Sequence, residues 1–293
     1  MESNGNPIDM PPQEDLTEVK KPTSLLVAQL FLFPLIVIAF GVGVFLLFGY
    51  ITQEQKSPQS YLNEIRLGSE TRRWQAAFEL SKVIATQKEE LQSAGFARDI
   101  IDVYKNAGSD NPQIRQFLAI SLGHLGDRTA IPALTEGLND TAAETQIWTL
   151  WAIGTIGDKE ASAEIVGKLQ SDDAAVRKMA VYVLGALKDP STVGNLRVAL
   201  NDTVADVRWN AAMALAQLND AAGADILIEL TNREYFDQFL EMSLAEKENA
   251  IVNAVKCLSI LKLEGAKDKI ESLSQSDPSM VVRDAALEAM DTF

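Results

Sequence analysis

Residues 172–190 read DDAAVRKMAVYVLGALKDP, and this stretch decides the fold. Ala180, Val181, Leu184 and Leu187 recur at helical spacing, giving one apolar stripe on one helix. Asp189-Pro190 interrupts that stripe, and Val193, Leu196 and Leu200 then form a second one, predicting a partner helix. The same pattern returns on both sides. Leu122-Gly-His-Leu-Gly-Asp127, Ile153-Gly-Thr-Ile-Gly-Asp158, Leu184-Gly-Ala-Leu-Lys-Asp189 and Leu215-Ala-Gln-Leu-Asn-Asp220 follow one another at intervals of 31 residues. Seven residues before the first apolar position of each copy stand Arg115, Gln146, Arg177 and Arg208.

Two further copies fit once insertions are allowed. Arg73, Ala76, Leu80 and Val83 occupy the frame 42 residues before Arg115, and Ala254, Leu258 and Leu261 occupy it 43 residues after the Arg208 copy. Residues 277–290 supply a closing helix whose Asp284, Glu288 and Asp291 give it a polar outer face. Asp110, Asp140, Asp173 and Asp202 each precede a first helix and are expected to cap it. The Gly-x-x-Gly pairs Gly123/Gly126 and Gly154/Gly157 read as turn chemistry at helix ends. No stretch alternates with period two, so no strand is predicted. A helix pair of this size cannot bury its apolar face alone, and stacked pairs solve that problem. The predicted fold is therefore all-α: an α-solenoid (superhelix) of about six and a half repeats over residues 61–293.

The pattern Asp-x-x-x-Val-Arg-x-x-Ala-x-x-x-Leu-Gly-x-Leu-x-Asp-Pro, from Asp172 to Pro190, resembles the HEAT-like repeat of phycobilisome lyase subunits and many bacterial proteins. The resemblance covers residues 67–293 and implies an armadillo-like helical scaffold. It leaves function open, because the repeat serves scaffolds, lyases, glycosylase-like proteins and hydroxylases. Deoxyhypusine hydroxylase is similar in repeat type, but its di-iron site uses several His-Glu pairs. This chain has one histidine, His124, followed by Leu125, and that activity is excluded. A bilin lyase accessory subunit, holding a small ligand in the concave groove, stays as the alternative reading.

Ahead of the solenoid, residues 24–51 (SLLVAQLFLFPLIVIAFGVGVFLLFGYI) carry no charge and exceed the roughly 20 apolar residues a membrane helix needs. They predict a single transmembrane helix, and hence a single-pass protein of a cell membrane. The run is too long for a signal peptide. Lys20 and Lys21 on its N-terminal side lean towards a cytoplasmic N-terminus with the solenoid outside, against Lys56 and Arg66 on the other. Residues 1–23 read as a disordered acidic tail, and 52–60 as a linker.

Composition narrows the chemistry. The net charge is −15, of which the segment before the apolar run holds −3 and the part after it −12. That sign opposes general nucleic-acid binding and favours basic partners. One cysteine, Cys257, and one histidine leave no disulfide framework, no metal site and little acid–base catalysis. No catalytic residue and no cofactor are predicted. The expectation is a scaffold that is not an enzyme and binds a protein partner, with membrane complexes among the candidates.

Candidate contacts follow from departures within the repeat. The segment 231–249 (TNREYFDQFLEMSLAEKEN) breaks the register, and its Tyr235, Phe236, Phe239, Leu240 and Met242 are apolar for a loop. They form either a partner-binding patch or an extra helix folded over the repeat junction, and both readings can hold together. Trp148 is a further candidate anchor, whereas Trp151, Tyr182 and Met213 share one repeat position and are expected to pack between repeats. His124 occupies a position filled variably in other copies and reads as surface. The arginine row Arg73, Arg115, Arg177, Arg208 and Arg283 reads as structural, each guanidinium pairing with a loop Asp of its own or the next repeat. Gln146 breaks that row.

Overall fold

The computed structural model describes residues 31–52, 56–91, 94–107 and 111–293. The chain divides into two units between Gln55 and Lys56. In the first unit the described element is helix α1 (Phe33–Thr52). The transmembrane anchor expected over 24–51 is corrected: among the described residues no helix is long and apolar enough to cross a membrane. Residues 24–30 and the tail lie outside the described residues. The single-pass membrane location and its orientation are withdrawn with the anchor.

The second unit is helical throughout its described residues, with no strand. Helix α2 (Pro58–Leu67) starts inside the segment read as a linker, because Ser57 caps it and Pro58 suits the first turn. The long helices of successive repeats are α3 (Glu70–Thr86), α6 (Pro112–Leu125), α8 (Ala143–Ile156), α10 (Ala174–Leu187), α12 (Ala205–Gln217), α14 (Leu244–Leu261) and α16 (Met280–Met290). Between them lie α4 (Lys88–Leu91), α5 (Ala94–Asn106), α7 (Ile131–Gly137), α9 (Ser162–Gly167), α11 (Val193–Ala199), α13 (Ala224–Leu230) and α15 (Glu264–Ser276). Each long helix packs directly on the next, while α7, α9, α11 and α13 pack mainly on long helices. The result is six helix pairs and a closing helix, and the long helices form one continuous row.

Two rows of aspartates build the turns. Asp127, Asp158, Asp189 and Asp220 each accept a hydrogen bond from the backbone N–H two residues on, at 2.9–3.0 Å, and cap the short 3-10 turn that opens the second helix. The turn just before each is left-handed, with Gly126 and Gly157 at φ 72° and 75°, and Lys188 and Asn219 at 52° and 58° in the later copies. Of the aspartates expected to cap first helices, only Asp173 does so, accepting from Ala175 and Val176. Asp110 lies outside the described residues, and Asn111 caps α6 instead. Asp140 and Asp202 sit two residues before their helices' caps, Ala142 and Val204. One oxygen of each closes its own turn onto that cap's N–H at 2.8 Å, and the other oxygen takes an arginine of the preceding repeat.

That second bond ties the stack. Arg115 pairs with Asp140, and Arg177 grips both oxygens of Asp202 at 2.8 and 2.9 Å. Arg177 also donates to the carbonyls of Ser171 and Asp172, Arg208 to those of Asp202 and Thr203, and Arg283 to those of Asp277 and Pro278. Arg177, Arg208 and Arg283 thus hold their own turns, and Arg115 and Arg177 hold the aspartate of the next repeat. Arg73 donates to the carbonyl of Ile65, joining α3 to α2. Where Gln146 replaces the arginine, Ser171 stands in the acceptor position 25 residues on, so the rung loses both charges together. In the sixth copy Ile251 occupies the arginine position, yet Asp277 is not orphaned: Arg233, from the insertion, binds its two oxygens at 2.6 and 2.9 Å.

The helices come close because of small residues. A Cβ on Gly185 would lie 2.7 Å from the Cβ of Ala214, and one on Gly123 would lie 2.9 Å from the Cα of Ala152. Gly126 and Gly157 therefore serve turns, but Gly123 and Gly154 do not; they are contact points between long helices.

Two outcomes are expected from stability measurements. Arg177→Met should cost about 2–3 kcal/mol, the penalty for stranding a half-buried aspartate. The Arg177 guanidinium, against some burial, holds the Asp202 carboxyl below the usual carboxylate range. A depressed carboxylate contributes its stability above the unfolded value and loses it as pH falls, so wild type should lose more stability than the variant on acidification below pH ~4. Separately, Gly185→Ala should cost about 1–3 kcal/mol by overpacking, whereas Gly194→Ala, with nothing within 4 Å, should be neutral or slightly stabilising. Equal effects at both glycines in chemical denaturation would refute the close-approach account.

Candidate partner-binding groove

A repeat of 31 residues places equivalent side chains side by side on neighbouring long helices. One row across the faces of α6 to α14 is Phe117, Trp148, Met179, Asn210 and Asn253. Beside it run Trp151, Tyr182, Met213 and Lys256. Apolar positions inside each helix are buried, but these rows are not. Trp148 is 38% exposed and Tyr182 56%. The expectation that Trp151, Tyr182 and Met213 pack between repeats is thus corrected for Tyr182. It projects between the core positions Val181 and Val183 of α10, both fully buried.

The rows change character along the solenoid. At the N-terminal end they are aromatic: Phe78 and Phe117 meet edge-to-face at 5.2 Å, and Trp148 and Trp151 at 6.0 Å. His124 is half-buried with its ring 5.2 Å from that of Trp151, which corrects its reading as plain surface. Further along, a groove of about 580 Å³ opens between α8, α10, α12 and α14, with Ile147, Met179, Tyr182, Trp209, Met213 and Met242 among its walls. A second depression of about 370 Å³ shares Tyr182, Asn210, Met213 and Asn253 with it and continues towards Lys188, Lys256 and Cys257.

The insertion residues are divided between core and rim. Phe236 is fully buried, and Tyr235 and Phe239 are partly buried around Trp209, with ring centroids 5.0–6.1 Å from it. The indole N–H of Trp209 donates to the Tyr235 hydroxyl at 3.2 Å. These three side chains cover the junction between α12 and α14, so they are not presented as a free patch. Leu240 is 90% exposed, and Met242 lines the groove. Of the candidate anchors named from the sequence, Met242 and Trp148 are those on the row side; Tyr182, Asn210, Asn253, Lys188 and Lys256 were missed. The signal for them was available: carrying Trp148 and Trp151 forward by the repeat length lands on Tyr182 and Asn210, and the 43-residue step across the insertion on Asn253 and Lys256.

The groove offers weak chemistry and good adhesion. Burial raises the thiol of Cys257 to about 11, so it is a poor nucleophile at neutral pH. Among the described residues no group of three or more His, Cys, Asp or Glu could hold a metal ion. Aromatic and methionine side chains, by contrast, supply large and adaptable contact area.

Burial, and secondarily the charge of Lys88, holds the His124 imidazole below its ordinary value. The fold therefore favours the neutral ring, and its stability is complete above about pH 6.5 and declines as pH falls. Because this is the chain's single histidine, tryptophan fluorescence should drop in one step below pH 6.5 as a cation forms beside Trp151, and His124→Gln should abolish the step. An unchanged step in the variant would refute the contact.

The HEAT repeats family matches the chain over residues 100–173 and 163–246. No curated protein matches. Among solved structures, the complex of CpcE and CpcF of phycocyanin lyase from Nostoc sp. PCC7120 is similar at 17% identity and a TM-score of 0.53, over 82% of this chain and 96% of that one. The designed armadillo repeat protein YIII(Dq)4CqI is similar at 18% identity and a TM-score of 0.43, over 80% and 98%. Human deoxyhypusine hydroxylase in complex with glycerol is similar at 17% identity and a TM-score of 0.35, over 84% and 98%. At 17% identity the likeness to the phycocyanin lyase chain shows the fold alone. The family match, running from residue 100 to residue 246, takes in half of the chain and the repeats whose stacking is described above, and the protein belongs to the HEAT repeats family.

Proposed function

We propose that the chain is a binding module that holds a segment of a partner protein in the groove along α8, α10, α12 and α14. The observation that carries this reading is the exposure of Tyr182, in the row it shares with Trp151 and Met213, and of Trp148 in the adjacent row with Met179, with Met242 of the insertion on the same groove wall as Tyr182, Met179 and Met213. Side chains of that kind on a rigid, concave support are what anchor residues of protein interfaces look like. Nothing in the packing of the solenoid requires Tyr182 to be an exposed aromatic ring. In this reading the chain is a scaffold and not an enzyme.

The fold likeness to a phycocyanin lyase subunit keeps a second use of the same groove in view, the holding of a small planar ligand by an accessory subunit. One experiment separates the two. The full chain is used as bait beside Tyr182→Ala, Trp148→Ala and Leu240→Ser, all checked for unchanged melting. A protein bound by wild type should lose about tenfold or more in affinity with Tyr182→Ala and be indifferent to Leu240→Ser at the insertion tip. A captured protein indifferent to both Tyr182→Ala and Trp148→Ala would sink the groove reading. Tight one-to-one binding of a free tetrapyrrole, lost with Tyr182→Ala while no protein is retained, would favour the accessory reading instead.

A further inference from the structure

The smaller depression that continues the groove has a charge opposite to that of the chain. Around the depression between α10, α12 and α14 stand Lys188 and Lys256 and no carboxylate, on a protein of net charge −15. Neither lysine has an ion pair among the described residues, whereas other charged groups nearby are engaged. Lys178 pairs with Asp206 at 3.1 Å, and Glu246 accepts from the backbone N–H and hydroxyl of Ser243 at 2.7 Å. At physiological salt, charges further than about 8 Å away are largely screened, so the two lysines and not the whole chain set the preference of this groove.

Its remaining lining is of two kinds. Tyr182, Met213 and Ile260 are apolar, and Ile260 is 48% exposed. Asn210, Gln217 and Asn253 are side-chain amides, which can both donate and accept, and Asn210 already donates one hydrogen to the carbonyl of Asp206 at 2.7 Å. A helix has no use for such amides, because its main chain is already satisfied internally. An extended segment leaves its N–H and C=O groups open and can pair with them. A nucleic acid would fit the lysines but would run beyond them onto an acidic surface.

We propose that this depression takes an extended, acidic segment of a partner protein, its carboxylates meeting Lys188 and Lys256 and its apolar side chains lying on Tyr182, Met213 and Ile260. The proposal rests on the groove reading above and adds the partner's chemistry. It reverses the expectation of basic partners drawn from net charge.

The test selects random twelve-residue peptides on the full chain and measures the winners by fluorescence anisotropy. Lys188→Asn and Lys256→Gln, singly and together, remove the charges, and asparagine tolerates the left-handed backbone at φ 52°. The expected result is a selected set rich in Asp and Glu with interspersed apolar residues. These peptides should weaken about tenfold or more in the double variant, and weaken in wild type as salt rises. Melting curves confirm folding, and the single variants carry the test if the double one is unstable. Winners without acidic bias that still depend on Tyr182 would overturn the charge proposal and leave the groove reading standing. So would acidic winners that bind the double variant unchanged. If no winner depends on Tyr182, the groove reading itself fails, and this proposal with it.

Discussion

Everything in this solenoid depends on the contact between one long helix and the next. A single pair of helices has too little apolar surface to fold alone, so the neighbour interface supplies most of the burial. That interface is set by two devices repeated in one register. Gly123, Gly154 and Gly185 remove a side chain where long helices touch, and the arginine–aspartate bond locks the turn of one repeat to the helix of the one before. The first device fixes distance and the second fixes rotation. A helix sliding by one residue would lose both, and this makes the row of exposed side chains as regular as the core.

The parts visible in the sequence are those that obey this register. Leucine stripes, the arginine row and the paired loss at Gln146 and Ser171 can be read without coordinates, because each is a residue type recurring at a fixed interval. Parts outside the register stayed hidden. Arg233 lies 25 residues after Arg208, in the place where an aspartate would complete the rung, and only the folded insertion shows that it turns to Asp277 instead. The double role of Asp140 and Asp202 was hidden too, since an aspartate before a helix reads as a cap whether or not an arginine reaches it. The helix expected to cross a membrane shows a different limit. Composition speaks about a run of residues, and among the described residues no helix is long and apolar enough to cross a membrane.

Aromatic residues were the least legible. Phe236, in a polar stretch of sequence, is fully buried, while Tyr182, between Val181 and Val183, is more than half exposed. Residue type does not separate them. Phe236 sits on a 3-10 turn, Arg233–Gln238, which carries it against Trp209, and no periodic pattern announces that turn. Tyr182 can be placed, because buried neighbours flank it at 181 and 183 and its repeat equivalents run into the groove. Register, more than hydrophobicity, is the guide to the face a side chain takes in a solenoid.

The insertion then acquires a structural purpose that precedes any contact with a partner. Ile251 takes the place of an arginine in the sixth copy, so the bond joining that repeat to the closing helix would be missing. Arg233 restores it from outside the repeat, and Trp209, Tyr235, Phe236 and Phe239 hold the segment that carries Arg233. The same segment runs into the capping box of Ser243 and Glu246 that starts α14, and it sets Met242 on the groove wall. One departure from the repeat therefore closes the stack at its C-terminal end and shapes the groove there. The two roles share Trp209, which packs on the insertion and lines the groove at once. A change on the buried side of that ring should thus be felt in the groove through packing alone.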